Sequence, residues 1–377
     1  REIKERCGED FPVIYRLDLT QALNESYGDQ VFKKMFKGQE RTIEEGLEFC
    51  QVLAETGVDA FDVDKGCYDN WFYPHPPAYF DDIPYVEQTA GQLKAFFQSN
   101  GIQAKVIAVG KLGKPDRAVE VLRQGSADFF MLGRPLLADP YWPQKVREGR
   151  VREIIHCIGD QEGCIQSFIL GGHPCCTVNP YTGFEDSKQL VKAKRVKNIA
   201  IVGAGPAGCE AAKTAHSRGH QVTLFEKTNS VGGQLLTGSR MKIKHDLALY
   251  INNLQYQMDL LEKEGVNIKY NTEVLVSDLK GQFDVIICCN GLTVPLPEIE
   301  GRDLIPHCEA RELLDRYMQL PQDIKKVTVI GGGIVGCELS YSLAFEKQMQ
   351  VSIVELHDDL MKGVVPANRS MLLWLMM

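Results

Sequence analysis

Short apolar runs alternate with segments of helical periodicity over the first 150 residues. Residues 11–19 (FPVIYRLDL) are apolar and β-rich, which predicts a buried strand. Residues 42–57 predict a helix, because Thr42 and Glu45 form a capping box and Gly57 ends the periodic stretch. The alternation continues with strands predicted at residues 58–63, 105–110 and 127–133, and with helices at 85–99 and 115–124.

Repeated strand and helix units are typical of a parallel sheet with crossover helices. An eight-fold βα barrel takes about 250 residues, so residues 1–150 fit strands five to eight of one. We therefore predict an α/β fold that opens with the C-terminal half of a (β/α)8 barrel. The chain begins without Met and stops inside a predicted helix at residues 370–377, so we expect it to be cut at both ends.

Two turns that combine glycine with a cation follow the last two predicted strands. They are GKLG at residues 110–113 and GRP at residues 133–135. The corresponding loops of such barrels commonly bind phosphate, and Lys111 and Arg134 would supply positive charge beside the backbone of Gly133. Two ordinary turns with solvated cations explain the same residues, and both interpretations stay open.

Arg16 lies near the C-terminal end of the first predicted strand, where barrel active sites are found. A buried guanidinium needs an anion or several acceptors. The N1/C2 carbonyl edge of a reduced flavin would serve, and so would Asp18 or another barrel carboxylate. The residues alone favour the ion pair.

The second half of the chain contains two dinucleotide fingerprints. Each has a strand, a glycine loop (GAGPAG, then GGGIVG), a helix, and a second strand that ends at Glu226 or Glu355. The glycines let a helix N-terminus meet a pyrophosphate, and the acid can accept hydrogen bonds from ribose hydroxyls. Glu355 favours NADH, because a carboxylate would repel a 2′-phosphate. The predicted loop contacts are Gly203, Gly205, Pro206, Ala207, Gly208, Gly331, Gly333 and Gly336.

Two further stretches accompany the first fingerprint. VGGQ at residues 231–234 predicts a second turn that approaches the nucleotide closely. DVIICCNG at residues 284–291 predicts a buried strand, and we expect Cys288 and Cys289 to serve in core packing.

Four cysteines crowd together between the half-barrel and the first fingerprint. Cys157, Cys164, Cys175 and Cys176 fall in the stretch HCIGDQEGCIQSFILGGHPCCTVNP, whereas the chain's other cysteines are scattered. Clustered thiolates between nucleotide-binding regions indicate an electron relay, and they fit metal or redox use in a reducing compartment better than a disulfide scaffold.

The composition of the chain argues against nucleic acid and membranes as partners. The 377 residues carry a net charge of -8, with 44% hydrophobic and 24% charged residues. No basic patch suits nucleic acid, and no apolar run approaches the roughly 18 to 20 residues that span a membrane. We expect a cytoplasmic protein with a small-molecule substrate; a homo-oligomer is compatible with this composition.

Four stretches of the chain together resemble the multidomain Old Yellow Enzyme family. They are GKLGKPDRA, FFMLGRPLLADPYWPQKVREGRV, the cysteine stretch and IAIVGAGPAG. This family includes 2-enoate reductase, 2,4-dienoyl-CoA reductase and trimethylamine dehydrogenase. The loop GCYDNWFYPHPPAY is most similar to the enoate reductase branch. The resemblance covers essentially the whole chain and implies an FMN barrel, a [4Fe-4S] cluster, an FAD domain and a pyridine-nucleotide domain.

The resemblance also assigns residues. The residues that match FMN-binding positions are Arg16, Lys111, Gly133 and Arg134. Because of this match, we expect Arg16 to contact the flavin. Those that match FAD positions are Gly203, Gly205, Gly208, Glu226, Gln234, Lys244 and Val274. The implied domains are residues 1–150 (FMN half-barrel), 151–185 (iron–sulfur segment), 186–197 (linker), 198–322 (FAD) and 323–377 (partial NAD(H) domain).

The cysteine spacing departs from the family at one position. The family pattern C-x2-C-x3-C-x11-C places cluster ligands at Cys157, Cys164 and Cys176, but its second position is Asp160 here. Aspartate can ligate iron as a harder oxygen donor, and Cys175, His156 or His173 could substitute for it. A three-iron cluster and a lost cluster are the remaining alternatives.

The implied reaction passes electrons from NADH to FAD, through the cluster to FMN, and then to an activated alkene. Arg16 would stabilise negative charge on the reduced flavin. The family's donor tyrosine comes from strand four, outside these residues, so Tyr68 and His75 in the loop after strand six are the candidate proton donors. Alternatives are an amine-dehydrogenase-like enzyme that discharges electrons to a carrier protein, and an inactive fragment that binds nucleotide.

Overall fold

The structure, a computed structural model, describes residues 1–79, 85–293, 298–320 and 323–377. The chain folds into two compact units. Unit 1 comprises Arg1–Pro140, Gly159–Gly172 and Asp359–Met377, and unit 2 comprises Tyr141–Ile158 and His173–Asp358. The aromatic-rich loop predicted between the strand at residues 58–63 and the helix at 85–99 spans residues 64–84, and we call it the aromatic loop; its last five residues, 80–84, lie outside the described residues.

Unit 1 is built on a parallel sheet with the strand order β1-β2-β3-β4. The strands are β1 Ile14–Asp18, β2 Ala60–Asp64, β3 Lys105–Ala108 and β4 Phe129–Phe130. The α-helices of this unit are Glu2–Cys7, Leu23–Met35, Ile43–Glu55, Gln92–Ser99, Pro115–Arg123, Arg134–Ala138, Ser167–Ile169 and Pro366–Met376, and π-helical turns span Glu87–Gly91 and Glu162–Gln166. The parallel pairing confirms the α/β fold predicted from the alternation of apolar runs and helical segments.

Local sequence signals explain how the Ile43–Glu55 helix begins and packs. The Thr42 hydroxyl accepts from the Glu45 amide at 3.2 Å, and the Glu45 carboxylate accepts from the Thr42 amide at 2.9 Å, so the predicted capping box is present. At Gly46 a Cβ would lie 2.2 Å from the Leu19 carbonyl oxygen, so a glycine lets the helix contact the chain just after β1.

The core of unit 1 lies between its sheet and its helices. The rings of Phe61 on β2 and Phe97 are 5.3 Å apart in an edge-on arrangement, and both are fully buried. Val63 and Leu93 complete this contact layer with no exposed surface. Each such side chain contributes roughly 1.5–3 kcal/mol through burial, which fixes the strand ends from which the candidate site extends.

The C-terminal helix Pro366–Met376 packs into unit 1, although residues 173–358 of unit 2 separate it along the chain from the rest of that unit. Asn368 donates from its side chain to the Asp160 carbonyl at 2.8 Å. Trp374 stacks on Phe72 with ring centroids 5.4 Å apart. The helix therefore contacts both the cysteine segment and the aromatic loop.

Unit 2 contains two parallel sheets, ordered β7-β6-β5-β8 and β10-β9. The strands are β5 Asn198–Val202, β6 Gln221–Phe225, β7 Asn267–Lys269, β8 Val285–Cys288, β9 Lys326–Ile330 and β10 Gln350–Val354. The α-helices are Trp142–Arg147, Pro206–Ser217, Gln234–Gly238, Asp246–Lys263, Val276–Leu279, Ala310–Asp315 and Ile334–Phe345, and 3-10 turns span Val151–Glu153, Lys242–Lys244, Arg302–Leu304 and Tyr317–Gln319. Both fingerprints thus have the predicted strand–loop–helix–strand order.

The structure corrects the role expected for the Cys288–Cys289 pair. Cys288 is exposed and Cys289 is half-buried, so the core-packing role expected for this pair is wrong for Cys288. Cys288 is the last residue of β8 and the only exposed one of that strand. In the described part of the chain, no helix is long and apolar enough to cross a membrane.

Candidate functional site

The C-terminal ends of β1 and β2 bring one arginine next to two aspartates. Arg16 Nη1 lies 3.0 Å from Asp62 Oδ2, and Arg16 Nη2 lies 2.6 Å from Asp64 Oδ2. The aspartate side chains are 3% and 4% exposed, whereas that of Arg16 is 52% exposed. Arg16 is therefore half-buried rather than buried, and it forms the ion pair with barrel carboxylates that the residues alone favoured. Its flavin contact stays a prediction.

Asp64 connects this ion pair to a buried tyrosine. The Tyr85 hydroxyl and the Lys65 amide both donate to Asp64 Oδ1. Burial raises the pKa of Asp64 to about 6, although these two donors and Arg16 each lower it. The Asp64 carboxylate consequently titrates closer to neutrality than an ordinary aspartate.

The two candidate proton donors flank one indole ring. Tyr68 and His75 lie against Trp71 with ring centroids 5.0 Å and 4.6 Å away. Tyr68 is 82% exposed. Burial lowers the pKa of His75 to about 4, with further lowering by the nearby charges of Arg134 and Arg16. His75 is therefore neutral at pH 7, where it can donate a hydrogen bond from a ring N–H but holds no imidazolium proton.

The loop that follows His75 presents successive carbonyl oxygens to three side chains. Gln161 donates to the His75 carbonyl at 2.7 Å, Arg134 donates to the Pro76 carbonyl at 2.7 Å, and Lys111 Nζ lies 3.4 Å from the Pro77 carbonyl. The two cations predicted to bind the FMN phosphate thus converge on one loop. Sequence reasoning missed Gln161, because nothing in its spacing links it to residues 86 positions earlier.

The geometry around Arg134 suits an anion. Its Nη1 atom is buried and has no hydrogen-bond partner among the described residues. Gly133 directly precedes it, and a Cβ there would meet nothing within 4 Å. A buried guanidinium N–H beside open backbone fits a phosphate oxygen.

The first glycine loop of unit 2 is closely packed where its fingerprint requires glycine. A Cβ at Gly203 would lie 2.4 Å from the Cys289 carbonyl oxygen, and one at Gly208 would lie 1.8 Å from the Gly203 carbonyl oxygen. Gly205 is different, since a Cβ there would come no closer than 4.0 Å to the Gly233 Cα. The helix Pro206–Ser217 starts directly after it, with Ala207 in its first turn. Open space beside a helix N-terminus would suit a pyrophosphate, as the fingerprint predicts.

Glu226 holds this loop in place. Its Oε2 accepts from the Ala204 amide at 2.8 Å, and its Oε1 accepts from the Thr228 amide and hydroxyl at 2.8 Å. The carboxylate is nearly buried. Its predicted contact with a ribose would add to this role in the loop.

The second glycine loop repeats the arrangement. Glu355 Oε2 accepts from the Gly332 amide at 2.5 Å, and its Oε1 accepts from the His357 amide at 2.9 Å. These bonds, led by that from His357, lower the pKa of Glu355. A Cβ at Gly336 would lie 1.9 Å from the Gly331 carbonyl oxygen, whereas one at Gly333 would meet nothing within 4 Å.

Sequence reasoning overlooked a cysteine at the same place in both loops. Cys209 and Cys337 each follow the last glycine of a fingerprint, and their thiols donate to the carbonyls of Ala204 and Gly332 at 3.4 Å. Burial raises the pKa of Cys209 to about 12 and that of Cys337 to about 11, so both stay protonated donors. The shared motif G-x-x-G-C was the available signal.

The remaining residues predicted to contact FAD also lie in unit 2. Gln234 donates to the Leu292 carbonyl at 2.8 Å, and Lys244 pairs with Glu338 at 2.9 Å. Val274 packs against the cluster formed by Ala200, Phe225 and Leu279. The turn at residues 231–234 contacts the first loop, since the Gly232 amide donates to the Ala204 carbonyl at 2.9 Å. Its close approach to a nucleotide stays a prediction.

The predicted iron–sulfur ligands are divided between the units. Asp160 and Cys164 belong to unit 1, and Cys157 and Cys176 belong to unit 2. Within the described ranges, no group of three or more histidine, cysteine, aspartate or glutamate side chains is arranged to hold a metal ion. Asp160 and Cys164 flank Gln161, and a π-helical turn carries Cys164. The role of these four residues as cluster ligands stays a prediction.

Comparison with known proteins agrees with the fold. Residues 1–153 match the family model of the NADH:flavin oxidoreductase / NADH oxidase family. Residues 197–375 match the model of the pyridine nucleotide-disulphide oxidoreductases.

Individual relatives extend over nearly the whole chain. Cinnamate reductase of Clostridium sporogenes is 33% identical over 99% of this chain and 54% of its own length. NADH oxidase of Thermoanaerobacter brockii is 33% identical over 98% of this chain and 54% of its own. The solved structure of 2-naphthoyl-CoA reductase in complex with 2-naphthoyl-CoA has a TM-score of 0.83 and 28% identity, over 99% of this chain and 53% of that one.

The chain spans about half the length of the curated relatives it matches. Both family models match in the order that the fold shows, a βα sheet first and the tandem glycine loops second. The chain therefore belongs to the NADH:flavin oxidoreductase / NADH oxidase family, in the multidomain form that adds a pyridine nucleotide-disulphide oxidoreductase region.

Proposed function

We propose that this protein is an NADH-dependent flavin oxidoreductase that reduces activated C=C bonds of 2-enoates or enoyl-CoA thioesters. The observation that carries the proposal is the pair of glycine loops in unit 2. In each loop the backbone amide of the second residue donates a hydrogen bond to a glutamate carboxylate, which holds the loop in place. The names of the relatives, cinnamate reductase and 2-naphthoyl-CoA reductase, support this substrate class.

The residues of unit 2 fit two dinucleotides. Side chains at Gly203 or Gly208 would collide with the backbone, so these glycines keep the first loop close to its helix N-terminus. We assign FAD to this loop and NADH to the second, where the carboxylate of Glu355 disfavours a 2′-phosphate. Bound flavin and nicotinamide supply hydride transfer, and the protein supplies binding and orientation.

The residues of unit 1 fit FMN. Arg134, with its unpartnered buried Nη1, and Lys111 would hold the phosphate beside Gly133. Arg16 would place its positive charge near the flavin ring while Asp62 and Asp64 fix its orientation.

Tyr68 suits the role of proton donor to the substrate better than His75. Tyr68 carries a phenolic O–H that can donate, and the side chain is open to solvent, from which a proton can be replaced. His75 is neutral at pH 7 and would orient a substrate carbonyl through a ring N–H.

Mixing the FAD-reconstituted chain with NADH tests this function. We expect the flavin absorbance to bleach under anaerobic conditions, because hydride reaches FAD from a neighbouring nicotinamide site. NADPH should bleach it more slowly, since Glu355 repels the 2′-phosphate. An FAD-loaded protein that neither nucleotide bleaches would contradict the reductase, and would favour the amine-dehydrogenase-like or inactive alternatives.

We further propose that the cysteine segment binds an iron–sulfur cluster, supported by its spacing and by the resemblance. Cys157, Cys164 and Cys176 would be thiolate ligands and Asp160 a weaker oxygen ligand.

Asp160→Cys tests the ligand set. We expect iron and acid-labile sulfide to rise from substoichiometric to about four of each per chain, because a fourth thiolate completes an all-cysteine ligand set. The matched control is Cys175→Ser, which should leave both unchanged. Equal, negligible iron in the wild-type and Asp160→Cys proteins after anaerobic reconstitution would mean that the segment holds no cluster.

A further inference from the structure

Arg16 shares its charge with two aspartates on one face of the sheet in unit 1. Asp62 and Asp64 are alternate residues of β2, so their side chains point to the same side of the sheet. The parallel register places Arg16 opposite Asp62 and diagonal to Asp64. One guanidinium thus pairs with two carboxylates, at 3.0 Å and 2.6 Å, and the three side chains together carry a net negative charge. We call them the Arg16 group.

Two cations close to the Arg16 group in the sequence or the sheet have other partners. Lys65 Nζ lies 2.7 Å from Glu25 Oε2. Arg41 donates to the backbone carbonyl of Asp18, and its charge acts on the carboxylate of that residue. Neither cation pairs with the aspartates of the Arg16 group, so the excess of negative charge there stays.

Asp64 is held in place by donors other than Arg16. The Tyr85 hydroxyl and the Lys65 amide both donate to Asp64 Oδ1, while Asp64 Oδ2 accepts from Arg16. Both aspartate side chains are almost fully buried, and charges at such depth are poorly screened. About half of the Arg16 side chain is exposed, so a ligand can reach a guanidinium whose charge the aspartates already offset.

We propose that Asp62 and Asp64 are positioning residues of the FMN site, which act through Arg16 to lower the reduction potential of the flavin. This inference rests on the proposed function, in which Arg16 lies near the flavin ring. Reduction adds negative charge to a flavin, so charges of the protein close to the ring tune its potential. Two buried carboxylates paired with one arginine disfavour the reduced form, and a flavin of lower potential is a stronger reductant for the alkene.

Replacing either aspartate by asparagine should raise the potential of bound FMN. Asp64→Asn and Asp62→Asn each remove one negative charge and keep the shape of the side chain. We expect each variant to prefer reduced over oxidised FMN about tenfold more than wild type does, as for one unit charge acting at an effective dielectric constant near 20. For a two-electron couple, this ratio corresponds to a rise of about 30 mV.

The measurement is the midpoint potential of the FMN-reconstituted full chain at pH 8, by anaerobic titration against a reference dye with FAD omitted. Burial raises the pKa of Asp64 to about 6, so this aspartate is ionised at pH 8 in the wild type. Thermal unfolding of each variant shows whether it folds.

Asp59→Asn is the matched control. Asp59 directly precedes β2, at the end of the strand opposite to Asp64, and pairs with Lys4 at 2.8 Å. This variant also loses an ion pair of unit 1, but its FMN potential should equal that of the wild type.

Four results would overturn the inference. The first is an unchanged potential in both aspartate variants with FMN bound; if Asp64→Asn does not fold, Asp62→Asn decides alone. The second is an equal rise in Asp59→Asn, because a general loosening of unit 1 would then explain the shift. The third is equal loss of oxidised and reduced FMN, which would show that the aspartates hold the site together without tuning it. A wild-type chain that binds no FMN would also overturn the FMN assignment of the proposed function, and so differs from the other three.

Discussion

Gly208→Ala should strongly destabilise unit 2. A Cβ at this position would lie 1.8 Å from the Gly203 carbonyl oxygen and 3.0 Å from its carbon, both backbone atoms of the first glycine loop. Since the helix Pro206–Ser217 and β5 are fixed by the surrounding sheet, neither can retreat far. We expect a loss of more than about 3 kcal/mol in the free energy of unfolding, measured by urea denaturation.

Gly205→Ala is the matched control in the same loop. Its Cβ would have about the space of an ordinary contact, with the Gly233 Cα at 4.0 Å. We expect a folded protein with little change in unfolding free energy but weakened FAD binding, because a methyl group would stand where the pyrophosphate approaches. If Gly208→Ala were as stable as Gly205→Ala, the close approach of helix and strand would be wrong.

Arg16→Leu should destabilise unit 1 strongly at neutral and alkaline pH. The change leaves Asp62 and Asp64, both almost fully buried, without their cation. Removing one partner of a buried pair costs about 3–5 kcal/mol; since Arg16 is half exposed, we expect about 2–3 kcal/mol here after solvent screening. Urea unfolding at pH 8 measures the loss.

The loss of stability in Arg16→Leu should depend on pH through the buried carboxylates. Burial raises the pKa of Asp64 to about 6 in the folded chain, above its unfolded value, so the folded state binds more protons in that window. Stability from this group therefore falls as the pH rises through about 4 to 6. Without Arg16 the pKa values of both carboxylates rise further, so the deficit of Arg16→Leu should shrink towards pH 4.

Arg16→Lys is the control, because it keeps a positive charge but cannot reach both carboxylates with one planar fork. We expect it to recover part of the stability at pH 8. A deficit in Arg16→Leu that is the same at pH 4.5 and pH 8 would point to lost packing rather than to unpaired carboxylates.

Local patterns were sufficient to predict much of the fold. The side chains of Thr42 and Glu45 each accept a hydrogen bond from the other residue's backbone amide, within one helical turn. The start of their helix can therefore be predicted from four residues. The glycine loops are similarly local, because each clash that requires glycine, as at Gly208, involves residues within the same loop or an adjacent strand end. The ends of strands were harder to predict from local patterns. A strand was predicted at residues 127–133, whereas the observed strand is only Phe129–Phe130.

The partners of the site residues could not be predicted in this way. Arg16 pairs with Asp62 and Asp64, 46 and 48 positions away, only because parallel pairing places β1 beside β2 in that register. Lys244 and Glu338 are 94 positions apart, and nothing in the sequence around either residue links the two. Charge pairing across elements depends on tertiary packing, which a single sequence does not specify locally.

The return of the C-terminal helix to unit 1 has a consequence for the order of folding. Residues His173–Asp358 form one continuous stretch of unit 2, so its glycine loops can assemble as that stretch leaves the ribosome. The bond from Asn368 to the Asp160 carbonyl spans 208 positions, and closing so long a loop is slow. During synthesis, the contacts of this helix with Asp160 and Phe72 therefore form only after residues 173–358 have been made, so unit 1 is completed after unit 2.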